Sequence, residues 1–356
     1  MLAVILATVF SGCGGDDAKM VSGFSSSEAQ SSSPVSENEN KYVRVPLVRG
    51  MNMTCWEMKE WRPVEYLTEE KYYKELTSKG FDHVRIPVDF TLYSQNTGDY
   101  IIDSDFLTKL DTAIRLALDN GLYAVLDMHG CGSISRNVSA YEDMLYSYWR
   151  QLSERYSGYD ERLLFELLNE PNTKGTEGDD PLNGEKLNRI INNLIKIIRE
   201  TNPDRVIVAA LGNGNTVYDM DSVTLPEDDP NIIAAFHSYE PMEFTHQGVT
   251  WSATADYPAP CEWKQEYEDT VEDVINRAAE WSEKTGRQVW LGEFGVSLEK
   301  SPESSVSQYL SFITRLCEEK NIGWCYWEFW MSFGAFNRHT DSWNSYVVDA
   351  LTGDIN

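Results

Sequence analysis

The sequence predicts an α/β protein, an eight-stranded parallel β/α (TIM) barrel that forms a single catalytic domain. Eight short apolar runs recur along the chain from residue 42 onward. Each run is continuously apolar rather than alternating, which is typical of parallel strands covered on both faces. Amphipathic stretches separate the runs, so a strand followed by a helix or loop repeats eight times, as in a β/α barrel.

The predicted strands fall at regular intervals along the chain. An open doubly wound sheet is the alternative architecture, but no glycine-rich nucleotide-binding loop follows the first strand, which argues against it. The eight predicted strands are residues 47–51, 83–87, 123–127, 163–168, 206–210, 232–236, 289–292 and 323–327.

Six amphipathic helices are predicted between the strands, and a seventh near the C-terminus. Gly80, Gly121 and Gly286 follow three of these helices, at the position where a glycine commonly ends a helix. The predicted helices are residues 68–79, 105–120, 140–156, 185–200, 266–285, 304–320 and 346–351.

The N-terminal region indicates that the protein is exported from the cytoplasm. Residues 1–10 are almost wholly apolar and too short to span a bilayer, which is typical of a signal peptide. Residues 11–13 resemble a bacterial lipoprotein cleavage site with Cys13 as the lipid attachment residue, and a plain secretory signal is the alternative. We predict a signal segment over 1–13, a Ser-rich flexible linker over 14–41 and the barrel domain over 42–356. The predicted location is the bacterial cell envelope, lipid-anchored or secreted, in the periplasm or at the cell surface.

The composition limits the possible partners. With 30 basic and 57 acidic residues the formal charge is −27, which argues against nucleic acid as a partner and favours a neutral substrate. The 11 Trp and 19 Tyr residues supply either core or sugar-stacking surfaces. None of the six cysteines forms a C-x-x-C pair, so a zinc ribbon or thioredoxin-like motif is disfavoured, and Cys325 is predicted to be a buried thiol.

Polar residues cluster where the predicted strands end. In a β/α barrel the chemistry is found at the C-terminal ends of the strands. Glutamate is rarely buried, yet Glu170 and Glu293 end two apolar strands, and paired carboxylates in one cavity are the groups that hydrolyse glycosides. The polar residues at the strand ends are Arg85, Asp127, His129, Asn169, Glu170, His237, Tyr239, Glu293 and, with its indole, Trp327.

Six motifs in order on successive strands resemble one family. From about Val45 to the C-terminus the chain resembles a family 5 glycoside hydrolase, of the cellulase family. This resemblance implies a retaining mechanism with Glu293 as nucleophile and Glu170 as proton donor and base. The motifs are Val84-Arg-Ile-Pro87, Asp127-Met-His129, Asn169-Glu-Pro171, His237-Ser-Tyr239, Gly292-Glu-Phe-Gly295 and Trp327-Glu-Phe329.

The resemblance also implies roles for the substrate-binding residues. Arg85 and Tyr239 would keep Glu293 ionised, and Asn169 would hydrogen-bond the sugar 2-hydroxyl. His129 and His237 would position hydroxyls or carboxylates, while Trp327 would form the floor of the cleavage subsite. Trp251 and Trp330 are additional candidates for sugar stacking. Glu328 is expected to point away from the barrel lumen. No cofactor or metal is predicted, because no metal-ligand spacing involves the histidines.

The predicted function is hydrolysis of internal β-1,4-glucosidic bonds of cellulose or a related β-glucan by a monomer. After strand three, His129-Gly-Cys-Gly132 replaces the second histidine of many endoglucanases of the family and is reminiscent of relatives that act on other β-glucans. A β-mannanase, xyloglucanase or β-1,3-glucanase therefore stays open. A non-catalytic polysaccharide-binding lipoprotein is the alternative from another class, and retention of both glutamates argues against it.

Overall fold

The fold is a closed barrel of eight parallel strands in sequential order, which confirms the predicted fold class. The computed structural model describes residues 40–59, 65–95, 97–130, 132–250 and 257–353, so the predictions for Cys13 and Trp251 lie outside the described residues. The strands are β1 (Arg49–Asn52), β2 (His83–Val88), β3 (Tyr123–Met128), β4 (Leu163–Glu166), β5 (Ile207–Ala210), β6 (Ile232–His237), β7 (Val289–Phe294) and β8 (Gly323–Tyr326).

Helices surround the barrel close to the predicted positions, and a short hairpin of β9 (Phe336–Asn337) and β10 (Ser342–Trp343) precedes the last one. In the described part of the chain, no helix has the length and apolar character needed to cross a membrane. The helices are α1 (Glu70–Ser78), α2 (Ser104–Asp119), α3 (Gly132–Arg136), α4 (Val138–Arg155), α5 (Gly184–Arg199), α6 (Met242–Thr245), α7 (Gln265–Thr285), α8 (Glu303–Glu319) and α9 (Ser345–Thr352), with 3₁₀ turns at Tyr66–Thr68, Phe90–Tyr93, Asn213–Asn215 and Val217–Ser222.

The barrel lumen is apolar in its lower part and charged above. Buried side chains including Val125, Leu164, Trp290 and the thiol of Cys325 fill the lower layer, which confirms the buried thiol prediction. Because side chains of one strand repeat on the same face every second residue, the next inward positions on β3 and β4 are Asp127 and Glu166. The apolar plug therefore supports a charged layer directly below the mouth of the barrel.

The C-terminal end of β7 departs from regular pairing. The register of β7 shifts against β6 after Phe236 and against β8 after Leu291. At Gly292 a Cβ atom would lie 2.8 Å from Nε2 of His237, closer than real Cβ contacts allow. Glycine at this position, together with the shift, leaves room for His237 beside the Glu293 side chain.

The strand β4 is shorter than predicted. It ends at Glu166, whereas the apolar run led us to expect residues 163–168. Leu167 still donates its amide to Val208 and accepts a hydrogen bond from the Trp149 indole at 3.0 Å, so the segment stays buried while the chain turns. The turn ends at Glu170, whose φ of 38° lies in the left-handed region that non-glycine residues rarely adopt.

Candidate active site

The guanidinium of Arg85 is the centre of the charged layer. It is fully buried and contacts three carboxylates: Nε lies 2.6 Å from Glu166, Nη2 lies 3.0 Å from Asp127, and Nη1 lies 2.6 Å from Glu293. Nη2 also donates to Asn169 Oδ1 at 2.7 Å. Burial opposes its charge, but the three carboxylates outweigh burial and raise the pKa of Arg85 well above its usual value. Arg85 is therefore a permanent cation that fixes both Glu293 and Asn169.

Glu293 is held at both carboxylate oxygens. Its Oε1 accepts a hydrogen bond from Arg85, and its Oε2 accepts one from the Tyr239 hydroxyl at 2.9 Å. Burial, and next the charge of Glu293, raise the pKa of Tyr239 well above its usual value, so the phenol stays a donor. The Glu293 side chain is only 6% exposed. The guanidinium and the hydroxyl together fix the orientation of this buried carboxylate.

Glu170 has a different environment on the opposite side of the cleft. Its side chain is 39% exposed, and its Oε1 lies 2.8 Å from Nδ1 of His237. Desolvation raises the pKa of Glu170, and the charges of His129 and Arg85 oppose that rise. Burial lowers the pKa of His237 to about 4, so this imidazole is neutral near pH 7. Asn215 Nδ2 lies 3.3 Å from Nε2, an arrangement that suits an acceptor at Nε2 and a donor at Nδ1 toward Glu170.

A second histidine joins the charged layer to the aromatic floor. Nδ1 of His129 lies 2.7 Å from Asp127, and Nε2 lies 3.4 Å from the Asn169 amide. Its ring is stacked on Trp327 with centroids 5.9 Å apart. Burial lowers the pKa of His129, and raises that of Asp127 to about 7 against the opposing charge of Arg85. His129 thus positions Asn169 and Trp327 at once.

These side chains line a cleft of about 470 Å³ at the C-terminal end of the barrel. Glu170, His237 and Glu293 each present a polar atom within 4.8 Å of the other two. Three such atoms have the spacing of a cation site, but Arg85 and Tyr239 already occupy both oxygens of Glu293, and a cation would compete with that guanidinium. The hydrogen bonds from Arg85 and Tyr239 therefore suit a metal site less well than they suit a pair of carboxyl groups that transfer protons.

The structure brings most of the predicted site residues together. Arg85, His129, Asn169, Glu170, His237, Tyr239, Glu293 and Trp327 all meet in or directly beneath the cleft. Trp330 is placed differently and does not line this cleft. Its indole donates to the carbonyl of Thr54 at 2.7 Å, and the Arg338 guanidinium covers the ring at 4.9 Å. Its predicted role in sugar stacking stays a prediction.

Sequence reasoning missed Glu166, which binds Arg85 through both oxygens at 2.6 and 3.0 Å. The signal was available, because a lone charge in the apolar run of β4, two positions after Leu164, must face the lumen. Glu328 follows expectation and is absent from the cleft lining. It is buried and accepts a hydrogen bond from the Thr54 hydroxyl at 2.8 Å. Burial raises the pKa of Glu328 to about 8.

A β/α barrel with two carboxylates facing one cleft is the arrangement of a glycoside hydrolase. Residues 35–332 match the model of the cellulase family, and the chain belongs to this family, glycosyl hydrolase family 5. This confirms the resemblance inferred from the six motifs.

Individual relatives extend the comparison. The chain is 29% identical over 290 residues to Endoglucanase H of Acetivibrio thermocellus. The aligned region covers 79% of this chain but only 30% of that protein. Its sequence is 31% identical to that of the cellulose synthase subunit Z of Clostridioides difficile, whose crystal structure is known. The two structures have a TM-score of 0.77 over 86% of this chain and 99% of that one. Cel5A of Thermotoga maritima, in complex with mannotriose, is 28% identical with a TM-score of 0.78, covering 88% and 98% of the two chains.

Proposed function

We propose that this protein is a retaining endoglycosidase that hydrolyses internal β-1,4-glucosidic bonds of a β-glucan. The observation that carries the proposal is the approach of the Glu170 and Glu293 carboxylates to within 4.8 Å. Retaining glycosidases hold their two carboxyl groups about 5–5.5 Å apart, whereas inverting enzymes need about 6.5–9.5 Å to admit a water molecule. One oxygen of each glutamate lies within 4.8 Å of the other, which is closer to the retaining than to the inverting separation, so direct attack by one carboxylate is the favoured chemistry.

Glu293 is the proposed nucleophile and Glu170 the proposed acid and base. A carboxylate oxygen of Glu293 bonds to the anomeric carbon while Glu170 transfers its proton to the departing glycosidic oxygen. Glu170, now ionised, takes a proton from water, and the resulting hydroxide displaces Glu293 from the anomeric carbon. The surroundings support this division, since Glu293 is held by Arg85 and Tyr239, while desolvation favours the protonated form of Glu170.

The remaining cleft residues hold the sugar. Asn169 is fixed through its oxygen by Arg85, which leaves its amide hydrogens to direct at a sugar 2-hydroxyl and at His129. Trp327 offers an aromatic face for the apolar face of the pyranose ring. His237 is proposed to position Glu170, because its Nδ1–H bond fixes the rotamer of that carboxyl.

A β-glucan is the proposed substrate, and mannan is the second candidate. Endoglucanase H supports the first by its name, and the mannotriose complex of Cel5A supports the second. The backbone after β3 bears on this choice. Gly130 has a φ of 82°, and a Cβ atom there would lie 2.4 Å from Cγ of Asp89. A second histidine after His129 does not fit this backbone, so this edge of the cleft differs from that of endoglucanases with a His-His pair.

Initial rates on a polysaccharide panel test the proposal. Purified protein is assayed on carboxymethyl-cellulose, mixed-linkage glucan, mannan, xyloglucan and laminarin, with Glu293→Gln as the matched inactive control. We expect the highest kcat/KM on carboxymethyl-cellulose and mixed-linkage glucan, with viscosity falling faster than reducing ends appear. Faster cleavage of mannan or laminarin would preserve the catalytic pair and overturn the linkage. Binding to one or more of the five polysaccharides, with hydrolysis of none of them, would support a non-catalytic polysaccharide-binding protein.

We also propose that the protein is attached to the bacterial cell envelope by a lipid on Cys13. The support is the sequence alone, an apolar run over residues 1–10 followed by Ser11-Gly12-Cys13 and a Ser-rich stretch. Expression in a bacterial host with labelled palmitate should label the wild type but not Cys13→Ser. A mature protein that begins beyond Cys13 and carries no label would replace the anchor with an ordinary secretory signal.

A further inference from the structure

Asn52 is the last residue of β1, and its side chain is fully buried beside the charged layer of the barrel. It pairs with Arg85 in the parallel ladder between β1 and β2, which places the two side chains on the same face of the sheet. The backbone carbonyl of Asn52 accepts a hydrogen bond from the Phe329 amide at 3.0 Å, in the segment after β8. Backbone contacts on two sides therefore hold Asn52 next to the guanidinium.

The two ends of the Asn52 side-chain amide have different partners. Oδ1 accepts a hydrogen bond from Nη1 of Arg85 at 2.9 Å. Nδ2 donates to the carbonyl of Gly292 at 3.0 Å, and it lies 3.3 Å from the carbonyl of Tyr326 and 3.4 Å from that of Cys325. A guanidinium only donates hydrogen bonds and a carbonyl only accepts them, so the surroundings permit one orientation of this amide.

Both sets of contacts lead to Glu293. Nη1 of Arg85, which donates to Asn52, also donates to Oε1 of Glu293 at 2.6 Å. Because Nη1 carries two hydrogens, the bond to Asn52 leaves one hydrogen for the carboxylate and fixes its direction. Gly292 directly precedes Glu293, within the segment where β7 shifts its register against β8. Asn52 thus contacts both the cation that binds the Glu293 side chain and the backbone that carries it.

The proposed reaction depends on the position of the Glu293 carboxylate. Attack on the anomeric carbon needs the reacting atoms about 3–3.5 Å apart and in line, and a displacement of about 1 Å can lower the rate roughly 10²-fold. Removal of the Asn52 amide would free one hydrogen of Arg85 and take a donor from the buried Gly292 carbonyl. Both changes would loosen the nucleophile without touching it.

We propose that Asn52 is a positioning residue for the hydrolysis, and that it orients Glu293 through Arg85 and through the Gly292 carbonyl. This inference rests on the proposed function, because it assumes that Glu293 is the nucleophile. Since Asn52 is fully buried, a bound sugar does not reach it. Its effect should therefore fall on the rate of bond formation and not on the affinity for the sugar.

Covalent trapping with a dinitrophenyl 2-fluoro-β-cellobioside measures the attack of Glu293 separately from the action of Glu170. A carboxylate oxygen of Glu293 bonds to the anomeric carbon, the bond from that carbon to the aryl oxygen breaks, and dinitrophenolate leaves without needing a proton. The fluorine slows hydrolysis of the glycosyl-enzyme, so activity is lost with time. The dependence of this loss on inhibitor concentration gives the first-order constant ki for attack and the constant Ki for reversible binding.

We expect Asn52→Ala to lower ki by about 10–100-fold and to leave Ki unchanged. Asn202→Ala is the matched control. Asn202 is also buried, and it donates its amide to the carbonyl of Ser153 at 2.6 Å, but it precedes β5 at the opposite end of the barrel from the cleft. This control should lower Tm and keep the wild-type ki. Because a first-order constant does not depend on the folded fraction, a purely structural role of Asn52 predicts the wild-type ki as well.

Asn52→Asp is a second variant of nearly the same shape, for use if Asn52→Ala does not fold. It keeps an oxygen for Arg85 but replaces the donor to Gly292 with another oxygen, so ki should again fall. A wild-type ki in the folded variant would overturn the inference, while mass spectrometry that finds the sugar on Glu293 of the wild type would still support the proposed function. If the wild type is not trapped at Glu293, the proposed nucleophile is wrong and the inference fails with it.

Discussion

Glu293 and Glu170 each place one oxygen within 4.8 Å of the other, yet the two glutamates lie in different environments on the two sides of the cleft. Glu293 is 6% exposed and has a donor on each oxygen, whereas Glu170 is 39% exposed and has one neutral histidine beside it. Arg85 contacts the first carboxylate directly and reaches the second only at longer range. The comparison teaches that different surroundings can prepare one residue type for two different tasks.

The largest effect is expected at Glu293. Glu293→Gln keeps hydrogen-bonding groups for Arg85 and Tyr239 but removes the nucleophile, so kcat should fall by roughly 10³-fold or more with little change in thermal unfolding. Steady-state rates on cellohexaose measure this. In Glu293→Gly, added azide should restore turnover as a glycosyl azide of inverted configuration. Near-normal activity in Glu293→Gln would contradict the assignment.

At Glu170 the size of the effect should depend on the leaving group. Glu170→Ala removes the proton donor, so natural glucosidic bonds should lose roughly 10²–10⁴-fold in rate while activated aryl glycosides lose far less in the first step. Because the pKa of Glu170 is raised, wild-type activity should persist above the pH at which ordinary glutamates ionise and fall as pH rises through that pKa. The variant should lose this basic limb. Equal losses on both substrate types would argue against Glu170 as the acid.

A smaller effect is expected from the aromatic floor, and two tryptophans make the comparison. Trp327→Ala should cost roughly 1–3 kcal/mol in kcat/KM, the scale of burying a large apolar surface. Trp330→Ala should cost less, because Arg338 already covers one face of its ring. Both values should change little between low and high salt, since stacking on a neutral sugar involves few charges. A larger loss in Trp330→Ala would reverse the assignment.

The smallest effect concerns stability, and it arises from carboxyls beside the cleft. Burial raises the pKa of both Glu57 and Glu328 to about 8. Since the folded-state pKa exceeds the unfolded value, the contribution is fully present below about pH 4.3 and is lost as pH rises through 8. Tm should therefore fall from pH 5 to pH 9, and the fall should be smaller in Glu328→Gln. Calorimetric scans measure it, with surface Glu154→Gln as control, and equal slopes in both variants would contradict it.

The sequence was sufficient to predict the barrel and the polar residues at the C-terminal ends of its strands. Continuous apolar runs identify buried parallel strands, and the placement of chemistry at their C-terminal ends follows from the architecture. The sequence also marks Glu166 as a lone charge in an apolar strand, but it does not reveal that Arg85 is its partner. Pairing between β2 and β4 residues across a lumen depends on barrel closure, which periodicity along one strand does not reveal.

The two candidate tryptophans beyond β8 show the same limit. Trp327 and Trp330 are three residues apart and equally aromatic, yet one stacks on His129 and the other lies under Arg338. The Trp330 indole is held by the backbone carbonyl of Thr54 and by Arg338 between β9 and β10, whereas the Trp327 indole stacks on His129 after β3. No local pattern records those contacts.

The stereochemistry of the first product tests the central claim most directly. Proton NMR during hydrolysis of an aryl β-cellobioside resolves the anomeric proton before mutarotation. With carboxylates within 4.8 Å and Glu293 as nucleophile, double displacement predicts that β-cellobiose accumulates first and that the α anomer appears only later. Initial release of α-cellobiose would require a single displacement by water, and would contradict the assignment of Glu293 as nucleophile.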